Sequence, residues 1–509
     1  MQNPIHKEAR EEVEEAFPAV QEKNPPPSKE DHAAADDSDA SRDRKVLCTY
    51  FGVICLLLIL VTVVGLLTGA GAAAGWGMDI PAFLFVLSMT FYPCCGCLPD
   101  DDDGDGIVSS PPTLAQPTAP KKRMHWLDNL KTCLICMVLL GHSAMTFFGT
   151  GSGINFSPID LTDRSYFNAT VLFGLCVFKP LVVPLFFFIS GFFAPSSLDR
   201  KGRRGFLKAS FMRLGLVFLL FWLVVNPLMQ FYAAALVKPS EYTPSYFPTS
   251  PHTWFLLWLL VFQCGLASLR KTGHSMPLPS FSNLACLALK LAVIQLVASV
   301  MMAICGSSLG FAEMPMSGPG GDGFFNALGF AGGVTAKRSG WLNEKLPGPL
   351  VASARKYTIA VSLVLAATWC TLCLAELGNP VWVVYGVLFA AQIPLGPFCV
   401  AIGVVFVDLF MTRANFENGL TKFMAGAAFG VYLIHYYAVN TFAWLFSVVL
   451  KTTQSHELKF DDPDALKCDE QIGDADSFGG LFFVFACSLV TSFAVAGLLK
   501  LAPGLRNLI

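Results

Sequence analysis

Twelve stretches of this chain are apolar for long enough to cross a lipid bilayer, and that constrains its fold more than any other feature. A membrane-spanning helix needs about 17 to 25 mostly apolar residues, because in hydrocarbon every backbone N–H and C=O must bond within the segment. Candidates fall at 46–69, 77–97, 126–149, 171–194, 211–236, 253–269, 283–306, 323–336, 357–378, 381–410, 422–450 and 478–502. The stretch at 323–336 is short and Gly-rich, the weakest of the set. That at 381–410 is long and holds Pro394 and Pro397, where a kink is expected. The fold class that follows is all-α, a polytopic transmembrane helix bundle. Composition agrees: 54% of the 509 residues are apolar and only 14% charged, outside the range of soluble domains. A net charge of −2 leaves no electrostatic footprint for nucleic acid. The halves show no repeat, which counts against an inverted-repeat transporter.

Polar segments divide the chain. Residues 1–45 are acidic and Pro- and Ala-rich, with few bulky apolar side chains, and read as a disordered tail with no cleavable signal peptide. Two spans at 46–97 follow. A linker at 98–123 then separates them from the remainder, 124–505. The linker's DDDDGDG run lacks the closing Glu of a calcium loop and reads as a solvated acidic segment. Cys94, Cys95 and Cys97 cluster at a membrane edge, where metal binding and acylation are both chemically open and a plain interfacial cluster is the simpler reading. The other cysteines mostly lie within apolar runs and behave as small hydrophobes.

Cations collect on one side of this arrangement, at 121–123, 200–208, 270–271, 337–338, 355–356, and at Arg413 and Lys422. The positive-inside rule puts that side, and both termini, in the cytosol. One short loop then carries the pairs at both 337–338 and 355–356. The sequons at Asn155 and Asn168 fall on the far side.

Within MHWLDNLKTCLICMVLLGHSAM (124 to 145), Lys131 precedes His142 by eleven positions. On a helix that is about three turns and about 16 Å, so both groups share a face. Ionisable groups at membrane depth are costly and mark functional sites by default. The plainer reading is a Lys that snorkels to the interface and a His held by core hydrogen bonds. His252 opens PHTWFLLWLLVF, and His435 lies in FGVYLIHYYAVN. The topology brings all three imidazoles to the outer half of the membrane domain. There they are candidates to take a proton from a hydroxyl. Against this stand a helix-capping role for His252 and an interfacial pairing with Tyr432 or Tyr436 for His435. On the cytosolic side, SSLDRKGRRGFLKASFMRLG (196 to 215) packs Arg200, Lys201, Arg203, Arg204 and Lys208 ahead of Arg213. Such stretches anchor helices to anionic lipid. Arg213, carried into the span, points beyond anchoring to an anion site.

From about Arg123 to Leu501 the chain resembles the acyltransferase 3 family of integral-membrane O-acyltransferases. Six blocks carry the resemblance, in family order: LDNLKTCLICMVLLGHS, PLFFFISGFFAPSSLDRKGRRGFLKASFMRLG, FLLFWLVVNPL, PHTWFLLWLLVFQCG, FNALGFAGGVTAKRSGWL and AAFGVYLIHYYAV. The resemblance implies a ten-helix core, so the two N-terminal spans are additions. It matches His142 to the family His that follows an Arg by eleven positions. It matches His252 to the His before Trp-Phe-Leu, and His435 to the late Tyr-Leu-x-His. Arg213 matches the Arg before Leu-Gly. Lys131 stands where the family has Arg, Ala209-Ser210 replace an acid-Arg pair, Val217 replaces a Pro, and Gly141 precedes His142 where some members have His.

What the resemblance implies is acyl transfer from acyl-CoA, as donor substrate and not as a resident cofactor, to a hydroxyl of a carbohydrate or lipid-like acceptor. His142, with Lys131, His252 and His435, would carry the chemistry. Arg213, Lys201, Arg203 and Arg204 would hold the donor's phosphates, and no metal is called for. Asp128, one turn before Lys131, is placed to orient it. No oxyanion donor stands out in the sequence, and Tyr432 and Ser190 are the hydroxyls considered. Two other readings stay open: a multi-pass transporter using histidines as proton relays, and a catalytically silent relative acting as sensor or scaffold.

Overall fold

The computed structural model describes residues 123–147, 166–229, 252–268, 276–304, 323–374, 381–454 and 474–501. The acidic tail, the two N-terminal spans with the cysteine cluster, the linker up to residue 122, Asn155, Arg270 and Lys271 lie outside them. Among the described residues every regular element is a helix. α1 is His125–Phe147 and α2 Tyr166–Ser210. Leu216–Leu220, α3, runs between two π-helical turns, Phe211–Gly215 and Phe221–Val225. Then come α4 Trp254–Ser268, α5 Phe281–Ile304, α6 Gly323–Ser339, α7 Gly348–Leu374, α8 Val381–Arg413, α9 Gly419–Gln454 and α10 Asp474–Leu499. Segments of α1, α2, α7, α8 and α10 are each long and apolar enough to span a bilayer. The chain is an all-α polytopic membrane bundle.

Three features of the fold bear on the sequence reading. The basic stretch after residue 194 is helical. α2 continues to Ser210 and is broken only at Gly202, whose φ of +66° is the left-handed conformation that glycine adopts without a Cβ penalty. α8 runs as one helix through Pro394 and Pro397, a continuity that is compatible with the kink expected there. Tyr357 of α7 donates to the Pro394 carbonyl at 3.4 Å. The weak, Gly-rich segment proves to be a packed helix: α6 makes the most extensive contact in the fold, with α2. A Cβ at Gly329 would strike the Pro184 carbonyl, one at Gly333 the Phe188 carbonyl, and one at Gly191 the Phe330 carbonyl. Glycine there admits backbone-to-backbone approach, the small-residue logic of membrane helix association.

α1 is central. Trp126, Leu127, Leu130 and Leu134 pack with α2, α6 and α8, while Ile135, Leu139 and Phe147 pack with α9 and α10. Its first turn is tied to the α8–α9 loop. Asn129 donates to the Ala414 and Phe416 carbonyls, and the His125 ring meets Glu417 at 2.7 Å. The sequon at Asn168 lies in the first turn of α2.

Candidate functional site

The three histidines come together. His142 near the end of α1 and His435 in the middle of α9 have ring centroids 5.1 Å apart. His252, in the turn before α4, is 5.7 Å from His435. Tyr436 closes the group, stacked on His252 at 5.2 Å and edge-on to His142 at 5.6 Å. His435 and His252 are buried at 0% and 3% exposure, so their ring nitrogens have protein partners or none. Among the described residues no group of three His, Cys, Asp or Glu is arranged to hold a metal ion.

The backbone fixes two of the rings. His435 Nδ1 lies 2.6 Å from the Tyr432 carbonyl, and His252 Nε2 lies 3.2 Å from the Leu433 carbonyl. A carbonyl oxygen only accepts, so in each case the ring N–H donates to it. In the neutral imidazole the other nitrogen then carries a bare lone pair: Nε2 on His435, Nδ1 on His252. Both atoms are enclosed and without a hydrogen-bond partner among the described residues, as is Nδ1 of His142. Among the described residues no hydrogen bond to His142 Nδ1 fixes that ring. His252 is therefore not a helix cap. His435 meets Tyr432 both through the backbone bond and ring to ring, with centroids 6.0 Å apart.

The surroundings follow from helical spacing. Phe429, Tyr432 and His435 fall at i, i+3 and i+6 on α9 and share a face. Phe429 and Tyr432 stack at 6.3 Å. The Tyr432 hydroxyl donates to the His252 carbonyl at 2.5 Å, which commits its proton and removes it as an oxyanion donor. Tyr437 packs on His252 at 5.6 Å and donates to the Asn226 carboxamide oxygen at 2.5 Å. The π turn Phe221–Val225 presents Phe221 edge-on to His252 at 6.0 Å.

Arg213 sits in the other π turn with its guanidinium 5.6 Å above the Phe429 ring. Phe429 precedes His435 by six residues, about 9 Å of helix rise. A ladder of Phe429 and Tyr432 thus joins Arg213 to the histidines. Lys131 does not reach the cluster: its ammonium is 3.3 Å from Asp128, one turn below. A second lysine neighbours it. Lys500, past the end of α10, donates to the Gly426 carbonyl. Burial draws its pKa below the ordinary lysine value, and the positive charge of Lys131 draws it further. Lys201 and Arg204 flank the Gly202 break and are exposed, whereas Arg203 is half-buried with Nε enclosed.

Tyr437, Asn226, Phe221 and Lys500 escaped the sequence reading. Tyr437 adjoins His435 in the chain and was findable on that ground. The others depend on π turns and a chain terminus, for which the pattern of apolar residues carries no signal.

No curated protein and no solved structure matches the chain. The family model described as an acyltransferase domain matches residues 124–499, from one residue before α1 to the last residue of α10, and the chain belongs to that acyltransferase 3 family.

Proposed function

We propose that this membrane acyltransferase moves a short acyl group from acyl-CoA to a hydroxyl of a carbohydrate or lipid-like acceptor, with His142 as general base. The observation that carries the reading is the convergence of three imidazoles with enclosed, unpartnered nitrogens. Two of those rings are held by backbone carbonyls, whereas His142 Nδ1 has no hydrogen-bond partner among the described residues and is left to meet a substrate. In the reaction His142 takes the proton of the acceptor hydroxyl. The oxygen forms a bond to the thioester carbonyl carbon, the C–S bond breaks, and the imidazolium returns its proton to the departing thiolate. The lone pairs of His252 and His435 favour the protonated form of His142 beside them. The donor's phosphates lie against Lys201, Arg203, Arg204 and Arg213 as charge-assisted contacts. Its arm follows Phe429 and Tyr432 towards the histidines. Lys131, oriented by Asp128 and accompanied by Lys500, adds positive charge at the donor's end of the site. The donor enters from the cytosol, where both termini also lie.

Loss of a general base lowers rate by about 10²- to 10⁴-fold. Purified protein given labelled acetyl-CoA and a mixture of membrane lipids and glycans is expected to acylate one of them, and His142→Ala to lose that transfer while eluting and unfolding as wild type does. Wild-type turnover in a folded His142→Ala protein sinks the assignment. Proton-coupled uptake without acylation supports transport in its place.

A further inference from the structure

Lys290 is the only charged residue of α5, and it stands on the face turned away from the bundle. α5 packs through Ala288 and Ala292, both wholly buried. A Cβ at Gly396 of α8 would meet the Ala288 carbonyl and the Ala292 methyl at 2.8 Å. Lys290 lies two positions from each alanine, about 200° around the helix. Cys286, Leu287, Leu289, Val293 and Ile294 surround it and are exposed as it is. Among the described residues Lys290 makes no ion pair, and α5 itself carries no carboxylate. α5 enters the bundle on the basic side. Met276, ahead of it, donates its N–H to the Ser339 hydroxyl at 2.9 Å, and the Trp341 ring N–H donates to the Met276 carbonyl at 2.7 Å. Lys337 and Arg338 occupy that last turn of α6. Phe281 and Tyr357 meet at 5.8 Å beside exposed Lys356, as aromatic residues do at a membrane interface. Lys290 is nine residues past Phe281, about 14 Å along the axis. A hydrocarbon core is about 30 Å thick, so the Lys290 Cα lies inside it, in the half nearer the basic side. A cation there needs a counter-charge, and its own helix offers none. The Cα–Cβ bond of a helical residue tilts towards the N-terminus, so the ammonium is carried back towards the headgroups of that side.

We infer that the outer face of α5 seats an anionic phospholipid of the leaflet on the basic side, its headgroup phosphate on the Lys290 ammonium and an acyl chain along Leu289, Val293 and Ile294. The other cover for such a face is a helix of a second copy. Helices meet in membranes through small residues, as Gly329 and Gly333 do against α2, whereas Leu287, Leu289, Val293 and Ile294 are large and branched. Side chains of that shape suit flexible acyl chains, which fill the gaps between them. The charge selects the headgroup. In phosphatidylcholine the phosphate is neutralised by its own choline, whereas an anionic headgroup leaves its charge for the lysine. α5 holds none of the residues of the candidate site, so the lipid is bound whether or not the donor is acyl-CoA.

The test uses the full chain in nanodiscs of phosphatidylcholine, or of an equal mixture of phosphatidylcholine and phosphatidylglycerol. A photoreactive benzophenone side chain placed at Leu287, one turn before Lys290 on the exposed face, captures the molecule beside it. Mass spectrometry of the digested adduct identifies what was captured. One lysine near a membrane surface corresponds to about fivefold in affinity for an anionic lipid. Capture in the mixture is expected to favour phosphatidylglycerol by about that factor. Lys290→Gln is expected to bring the ratio close to one, and Lys290→Arg to keep it. Capture in phosphatidylcholine alone is expected to be the same for all three proteins, as a fold-preserving change on a lipid-facing surface requires. Should Lys290→Gln fail to insert, Lys290→Leu removes the charge with a side chain suited to lipid and is expected to give the same ratio. Equal capture of the two lipids by the protein with Lys290 overturns the site, as does a preference that survives Lys290→Gln or Lys290→Leu. An adduct joining two copies of the chain through Leu287 also overturns it, because the face is then an interface between protomers.

Discussion

A histidine whose N–H is committed to a carbonyl oxygen has its other nitrogen assigned as well, and the site's chemistry turns on this. His435 and His252 are fixed through Tyr432 and Leu433, so their lone pairs are set by the backbone of α9 and not by titration history. His142 is the ring without such a tie, which makes it the one whose removal should cost catalysis and little else. The cations divide similarly. Arg213 rests on Phe429, and Arg213→Gln is expected to raise the KM for acyl-CoA by about ten- to a hundredfold while leaving the acceptor KM in place. Unchanged donor affinity in detergent, where orientation is irrelevant, would refute phosphate contact there. Lys131→Arg restores the residue that the family carries and is expected to keep or raise turnover. Lys131→Leu, which leaves Asp128 paired with Arg123 alone, is expected to lower it at least tenfold, on the scale of one lost charge-assisted contact. Steady-state kinetics on both variants decides. The histidines were legible in the sequence because ionisable groups in apolar helices stand out. Their tautomers were not, because these depend on which carbonyl an imidazole meets after two helices pack.

At the scale of elements, α6 is the instructive case. Its glycines lower apolarity and helix propensity, so a hydropathy reading scores it as the weakest span. Those same glycines let it approach α2 until backbone meets backbone. Length and apolarity measure contact with lipid; α6 is instead specified by its contact with protein. Gly333→Leu would force side-chain atoms into the Phe188 carbonyl and the Phe192 N–H. Overpacking typically costs about 1–3 kcal/mol, and contact with backbone leaves no rotamer escape, so the upper end is expected. Thermal unfolding in detergent should show a lowered Tm for Gly333→Leu and a near-wild-type Tm for Gly348→Ala, where a Cβ meets nothing within 4 Å. Equal stability of the two variants would mean the α2–α6 approach is looser than described. The π turns around α3 were likewise illegible. A widened turn is stabilised by what its displaced side chains touch, here Arg213 on Phe429 and Phe221 on His252.

For the molecule as a whole, the spacing of apolar segments was enough to give an all-α bundle and the order of its helices, while orientation in the membrane depends on where the cations lie. The stretch at 200–208 around the Gly202 break of α2, the pair Lys337 and Arg338 in the last turn of α6, and Arg413 with Lys422 at the facing ends of α8 and α9 share one side in the alternating topology. If that side is cytosolic, the donor reaches Arg203 and Arg213 directly, and the histidines lie towards the opposite face, where an extracytosolic acceptor would meet them. The loop at 150–166 then faces outside or the lumen. A single cysteine placed there in a cysteine-depleted protein is expected to react with an impermeant maleimide from outside or from the lumen, and one placed at 415–418 only after permeabilisation. Endoglycosidase sensitivity at Asn155 offers an independent readout. The opposite labelling pattern would invert the site, putting the histidines on the donor's side and the arginines on the acceptor's. The proposed path from phosphate to imidazole along α9 would then have no donor to carry.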